Sequence, residues 1–226
     1  MTPKEYRKAM GFTNKGNFKK YLGAKDIVEP NWTLIEKKNQ RLIQQFESLI
    51  NVLKIKEPFD VADTVHTTTQ IIKENDILKS LNNHGRAIEN VYYSWLQGYL
   101  AELTFTPLIK HSLGLKNIER NGGDDLSNIE AFKRTGDADL VDHTAKVMID
   151  VQAGVTGGSL DIKQHKVKNA CANDDYESYV FFADICNGTY ANIALKPLIN
   201  ETFVANPQWE GQLVYTVDPN LFKSFC

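Results

Sequence analysis

Asp139, Asp150 and Gln152 are the side chains whose types and spacing best suit chemistry. Asp139 lies in Gly136-Asp137-Ala138-Asp139-Leu140-Val141, and the other two lie in Val147-Met148-Ile149-Asp150-Val151-Gln152. Ala138 to Val141 and Lys146 to Gln152 are short runs rich in apolar and β-branched residues, and Asp142-His143-Thr144 between them is turn-like. The pattern predicts a hairpin over 136–152. Side chains alternate along a strand, so Asp150 and Gln152 share a face, and Asp139 on the partner strand is positioned to point at the same spot. Two carboxylates brought that close repel unless a cation lies between them. A hard divalent ion with oxygen ligands, magnesium most naturally, is the simplest occupant. Held by Asp139, Asp150 and the carbonyl of Val151, it would acidify a bound water and bind a phosphate oxygen, which is the chemistry of phosphodiester hydrolysis. Of the two neighbouring acids, Asp139 is favoured over Asp137 because an apolar residue follows it. The plainer alternative is a hairpin with solvated acids near its turn.

These residues resemble the metal site of the PD-(D/E)xK nuclease superfamily, in which an Asp opens one strand and an acid-x-Lys follows on the next. Ala138-Asp139-Leu140 corresponds to the first element, with alanine in place of proline. Asp150-Val151-Gln152 corresponds to the second, with glutamine in place of lysine. Within the superfamily the resemblance is to type II restriction endonucleases, blunt cutters among them. It implies cleavage of double-stranded DNA at a palindromic site, dependent on Mg2+. Mn2+ would substitute, and Ca2+ would support binding only. It also implies a homodimer sharing its two-fold axis with the DNA, and a cognate DNA methyltransferase in the same host. A helix ahead of the site strands often supplies a further acid in this superfamily, and Glu102 matches that role by order and position. Gln152 would orient the attacking water through its amide. The polar segment after the motif would lie over the DNA backbone, with Ser159, Lys163, His165 and Lys166 as its contacts. Lys163 or Lys166 would stand in for the absent motif lysine.

The elements that must position these residues are legible in part. Thr2-Pro3-Lys4-Glu5 is a capping box with proline at the first helical position, predicting a helix to Met10 that stops at Gly11. A second is expected from Asn14 to Leu22. The pair reads as a helix-turn-helix-like arm over 1–25, with Lys15 and Lys19 as DNA contacts, or else as a solvated helical hairpin. Thr33-x-x-Glu36 is a further capping box opening a long amphipathic helix through Leu53. More helix is expected from Val61 to Leu81, with Thr67-Thr68-Thr69 as a weak point. Asn82, Asn83 and Gly85 mark a turn. Ile88, Val91, Tyr92, Trp95, Leu96, Tyr99, Leu100 and Leu103 form one helical stripe. Arg120 to Asp125 is a turn and Gly154 to Ser159 a loop, and Asp161 to Lys168 reads as helix. Tyr179 to Ile185 is apolar throughout, as a buried central strand requires. Asn187-Gly188 turns the chain back through Thr189 to Leu195, and Gln212 to Val217 forms a last strand. This order predicts an α/β fold: a nuclease core over 84–226 with a mixed central sheet flanked by helices, preceded by a helical region over 1–83.

Composition narrows the classes. The chain has 226 residues, 42% hydrophobic and 24% charged, enough to bury a full core. The net charge of −2 carries no global nucleic-acid signature, yet residues 1–25 hold seven Lys or Arg against Glu5 alone, while 124–150 is acidic. Three cysteines without a CxxC spacing exclude a disulfide framework and a thiolate zinc site. No apolar run reaches membrane-spanning length and the N-terminus is polar, so a cytoplasmic protein without a signal peptide is expected. No Gly-x-Ser-x-Gly, phosphate-binding loop or dinucleotide fingerprint is present. Three other functions remain at this stage: a repair or junction-resolving nuclease of the same superfamily, a non-catalytic DNA-binding regulator using the N-terminal helices, and a protein whose acids are incidental.

Overall fold

The computed structural model describes residues 7–11, 29–55, 59–80, 87–121, 138–154, 160–185, 187–207 and 211–225. Lys15, Lys19, Asp137 and Ser159 lie outside these residues, as do the second N-terminal helix, the turn at Asn82 to Gly85 and the loop from Val155. Of the first helix, Arg7–Ala9 are helical and Gly11 turns with φ +79°, as its glycine permits.

Helix α1 spans Trp32–Leu53. Its cap is Asn31, whose side chain accepts from the Leu34 amide at 3.0 Å, so Thr33 falls inside the first turn and does not cap. The carboxylate of Glu89 accepts from the Asn31 amide at 2.8 Å, closing the helix start with an acid from a distant segment. Helix α2, Val61–Glu74, is capped by Asp60 through the Asp63 amide. It runs straight through the threonine triplet. The break comes instead at Asn75–Asp76, where Asp76 takes φ +50°, and α3 follows as Ile77–Ser80. The triplet holds because its side chains are used. Thr68 is buried, and the Thr69 hydroxyl bonds back to the Val65 carbonyl.

Helix α4, Ile88–Leu113, extends ten residues past the stripe that marks it in the sequence, through Pro107 to Gly114 at φ +67°. Proline removes one rung of the ladder. Beside the gap, the Thr106 hydroxyl donates to the Glu102 carbonyl at 2.6 Å. A buried polar triad ties α1, α2 and α4 together. The Tyr92 hydroxyl donates to Asn39 Oδ1 at 2.8 Å and lies 2.8 Å from Thr69 Oγ1, and Asn39 Nδ2 donates to Thr69 Oγ1 at 3.0 Å.

The strands form a mixed α/β architecture. Strands β1 (Glu119–Arg120), β2 (Leu140–Asp142), β3 (Val147–Gly154), β5 (Glu177–Asp184), β6 (Thr189–Ala194) and β9 (Lys223–Ser224) build a six-stranded, mostly antiparallel sheet in the order β1-β2-β3-β5-β6-β9. Its one parallel pair is β3 with β5, which requires a crossover. That crossover carries β4 (Asp161–Lys163) and helix α5 (Gln164–Ala172). The segment from Asp161 is therefore strand before it is helix. It pairs with β8 (Gln212–Thr216), which also pairs with β7 (Val204–Asn206) in a second, three-stranded sheet. The Asp161 carboxylate anchors it, accepting from Asn206 at 2.6 Å and Thr216 at 2.7 Å.

Alternation divides the six-stranded sheet between two cores. Ile149, Leu140 and Phe181 join the buried stripes of α1, α2 and α4. Val180 and Phe182 turn the other way, against Val167 and Ala170 of α5. Each fully buried Leu, Ile or Phe contributes about 1.5–3 kcal/mol, so these two layers fix the register of β3 and β5. Among the described residues, no helix is long and apolar enough to cross a membrane.

Candidate active site

The hairpin forms close to where the sequence places it. In β2–β3, Leu140 pairs with Ile149 and Val141 with Met148. One further step in this register sets Asp139 across from Asp150. The hairpin end is held by Asp142, which is buried and accepts from the amides of Ala145 at 2.9 Å, Thr144 at 3.0 Å and Asn117 at 3.0 Å. The Ala145 amide foremost holds the Asp142 carboxyl below the usual carboxylate range, with Asn117, Lys116 and Thr144 adding to it and burial opposing. Asp142 is thus a structural clip on the turn.

At the open end, Asp139 Oδ2 accepts from the Val151 amide at 2.7 Å. A strand residue directs its N–H and C=O to the same side. The Val151 carbonyl therefore opens toward Asp139. Asp150 lies beside Val180 in the parallel register, and Gln152 beside Phe182, so both belong to the face covered by α5. From that helix, Lys166 reaches across, with its Nζ 2.7 Å from Asp150 Oδ1. The pair is largely withdrawn from water, Asp150 being 15% and Lys166 29% exposed at the side chain. It borders a cleft of about 240 Å³ lined by Ala138, Met148, Asp150, Lys166, Asn169 and Asn173. Lys163 ends β4 at the start of α5, and His165 is exposed on its first turn. Partial burial lowers the His165 pKa, and Lys163 and Lys166 push it the same way, against Asp150.

Glu102 lies on α4 with its Oε2 3.0 Å from both Nε and one terminal nitrogen of Arg120. Arg120 pairs with Leu140, the residue after Asp139, and lies over the Tyr99 ring at 4.6 Å. Tyr99 in turn stacks on Trp95. Glu102 therefore flanks the start of β2 with an arginine on its carboxylate. Among the described residues, no group of three or more His, Cys, Asp or Glu side chains converges on one point. The oxygens that a cation at this end of the hairpin would meet are those of Asp139, Asp150 and the Val151 carbonyl. Those donors suit a hard ion that keeps several of its waters. A larger cavity of about 650 Å³, lined by Leu53, Thr104, Pro107 and His111 among others, holds no acid and offers no such set.

Asn169 and Asn173 escape a reading of the sequence, as does Arg120. The signal for the first two is spacing. Lys166, Asn169 and Asn173 fall at i, i+3 and i+7, one face of a helix.

No protein-family model matches this chain, and neither a curated protein nor a solved structure is detectably similar to it.

Proposed function

We propose that the chain is a metal-dependent endonuclease of the PD-(D/E)xK kind, a type II restriction enzyme cutting double-stranded DNA as a homodimer. The observation that carries this reading is the set of groups at the open end of the hairpin. Asp139 immediately precedes β2, Asp150 lies across from it on β3, the Val151 carbonyl turns toward Asp139, and a lysine ammonium touches Asp150. A mixed sheet with helices on both faces, and a helix bearing Glu102 ahead of the site strands, agree with it.

Asp139, Asp150 and the Val151 carbonyl would hold the magnesium ion, which when bound acidifies water and draws charge from a phosphate oxygen. The remaining work falls to the chain. The Val151 amide fixes the orientation of the Asp139 carboxylate before any ligand arrives. Gln152, two residues beyond Asp150 on the same face, orients a water by its amide without adding charge. Lys163 and Lys166 present a cationic helix start to the DNA backbone beside the cleft, with His165 between them as a polar contact, and phosphate contacts of this kind set register on the duplex.

The test is a digest of a large mapped DNA with purified protein in Mg2+ and in Ca2+. Discrete fragments in Mg2+ alone support the reading, and sequencing their ends gives the site. Asp150→Ala should lose at least about 100-fold in cleavage and keep DNA binding in Ca2+. An Asp150→Ala protein that still cuts, or a wild type that leaves DNA intact, would sink it.

A further inference from the structure

We infer that Lys166, carried on α5, supplies the positive charge missing at Gln152, and that in the free protein it competes with the divalent ion for the Asp150 carboxylate. This deepens the nuclease reading and rests on it. The geometry starts from the face shared by Asp150 and Gln152. A lysine at position 152 would rise from the sheet into the space beneath α5. Lys166 enters the same space from the opposite wall and ends 2.7 Å from Asp150 Oδ1. The charge is kept while its point of attachment differs.

The competition follows from electrostatics. A divalent ion must take oxygens of Asp150 directly, at roughly 2.1 Å for magnesium. An ammonium already on that carboxylate would then lie within a few Å of the ion and be repelled. The lysine stem is flexible, and the ammonium is a point donor that can exchange partners. Its alternative partner is a phosphate oxygen of bound DNA at the mouth of the cleft. Metal affinity should therefore be low in the free protein and rise when DNA draws Lys166 away. In its second position the ammonium offsets charge growing on the phosphate.

The experiment measures Mn2+ binding by electron paramagnetic resonance without DNA, alongside cleavage and thermal melts, for wild type, Lys166→Met, Lys166→Arg and Lys166→Met/Gln152→Lys. Lys166→Met should bind Mn2+ about tenfold tighter than wild type, since the competing charge is gone. It should also cleave at least about 100-fold more slowly. Lys166→Arg should keep wild-type Mn2+ affinity. The double variant should recover at least about tenfold of the lost cleavage, because charge returns from the strand. Unchanged Mn2+ binding with cleavage within about threefold of wild type would overturn the inference. So would weaker Mn2+ binding with a lowered melting temperature, which would make Lys166 a packing residue. Lys166→Gln serves as a second neutral variant should the Met form not fold. If wild type cuts no DNA in Mg2+, the nuclease reading fails, and the Mn2+ titration still decides the competition by itself.

Discussion

Replacing Tyr92 by Phe removes one oxygen from the most enclosed part of the helical layer. Tyr92 and Asn39 are both 0% exposed. The phenol donates to Asn39 Oδ1, and no water can reach that acceptor once the donor is gone. Thr69 is less affected, since its hydroxyl still accepts from Asn39 Nδ2 and donates to the Val65 carbonyl. The cost is therefore one orphaned buried acceptor, about 1–3 kcal/mol. For a chain of this length that lowers Tm by roughly 2–12 °C. The alkaline limb gives a second readout. Burial, partly offset by the Thr69 and Asn39 bonds, pushes the Tyr92 hydroxyl from 10.0 up to about 12. A group whose folded pKa is raised contributes stability that is complete below its unfolded value and lost as pH climbs through the folded one. Wild type should thus lose roughly 2 kcal/mol between pH 10 and 12 from this residue alone, and Tyr92→Phe should lack that loss. Urea melts at pH 7 and across the alkaline range measure both. Asn39→Leu/Tyr92→Phe removes donor and acceptor together, so it should cost less than the sum of the single changes by about 1 kcal/mol. A Tyr92→Phe protein within about 0.5 kcal/mol of wild type, with an unchanged alkaline slope, would refute the argument.

The clip at Asp142 has the opposite pH signature. Its folded pKa is lowered, so its contribution is present above the unfolded value and lost as pH falls through the folded one; Asp142→Asn should flatten the acid limb of a melt series. Asp161→Ala removes the acceptor shared by Asn206 and the exposed Thr216 and should cost about 0.5–1.5 kcal/mol for each hydrogen bond lost, with faster amide exchange in β7 and β8 as the local sign. Asp139→Asn keeps an acceptor for the Val151 amide, so melting should stay within about 2 °C of wild type, while Mn2+ binding is lost in a direct titration. DNA binding in Ca2+ should fall linearly on a log–log salt plot, and a flat plot would exclude phosphate contacts by α5.

The hairpin of β2 and β3 was legible because it is local: alternation, a turn and two acids close together in sequence. The central strand around Phe181 was legible for its unbroken apolar run. Asp161–Lys163 was not, because a three-residue strand owes its state to β8, some fifty residues on, and its polar sequence runs smoothly into α5. The start of α1 was misplaced by two competing caps. Thr33 has the better local motif, but Asn31 is the one that also receives the Glu89 carboxylate. The weak point of this helical stretch was expected at Thr67-Thr68-Thr69, where Thr68 is in fact buried and Thr69 bonded, whereas the break needed only a left-handed Asp76. At the candidate site, the facing of Asp139 and Asp150 follows from strand periodicity, while which of Lys163 and Lys166 meets Asp150 depends on where α5 crosses β3. That crossing belongs to packing, which a linear pattern does not contain.

The six-stranded sheet ends on both sides in strands of two residues, Glu119–Arg120 and Lys223–Ser224, each exposed and each carrying charge. A chain arriving at either margin would find two rungs to pair with and would have to strip water from charged side chains to use them. Among the described residues, templated growth from strand to strand is thereby opposed at both margins of this sheet. In the proposed homodimer, these two margins would not serve to run one six-stranded sheet into the next. The proposed pair would then meet through other surfaces, and the separation of its two cutting centres would be set by side-chain packing rather than by the repeat of a β-ladder.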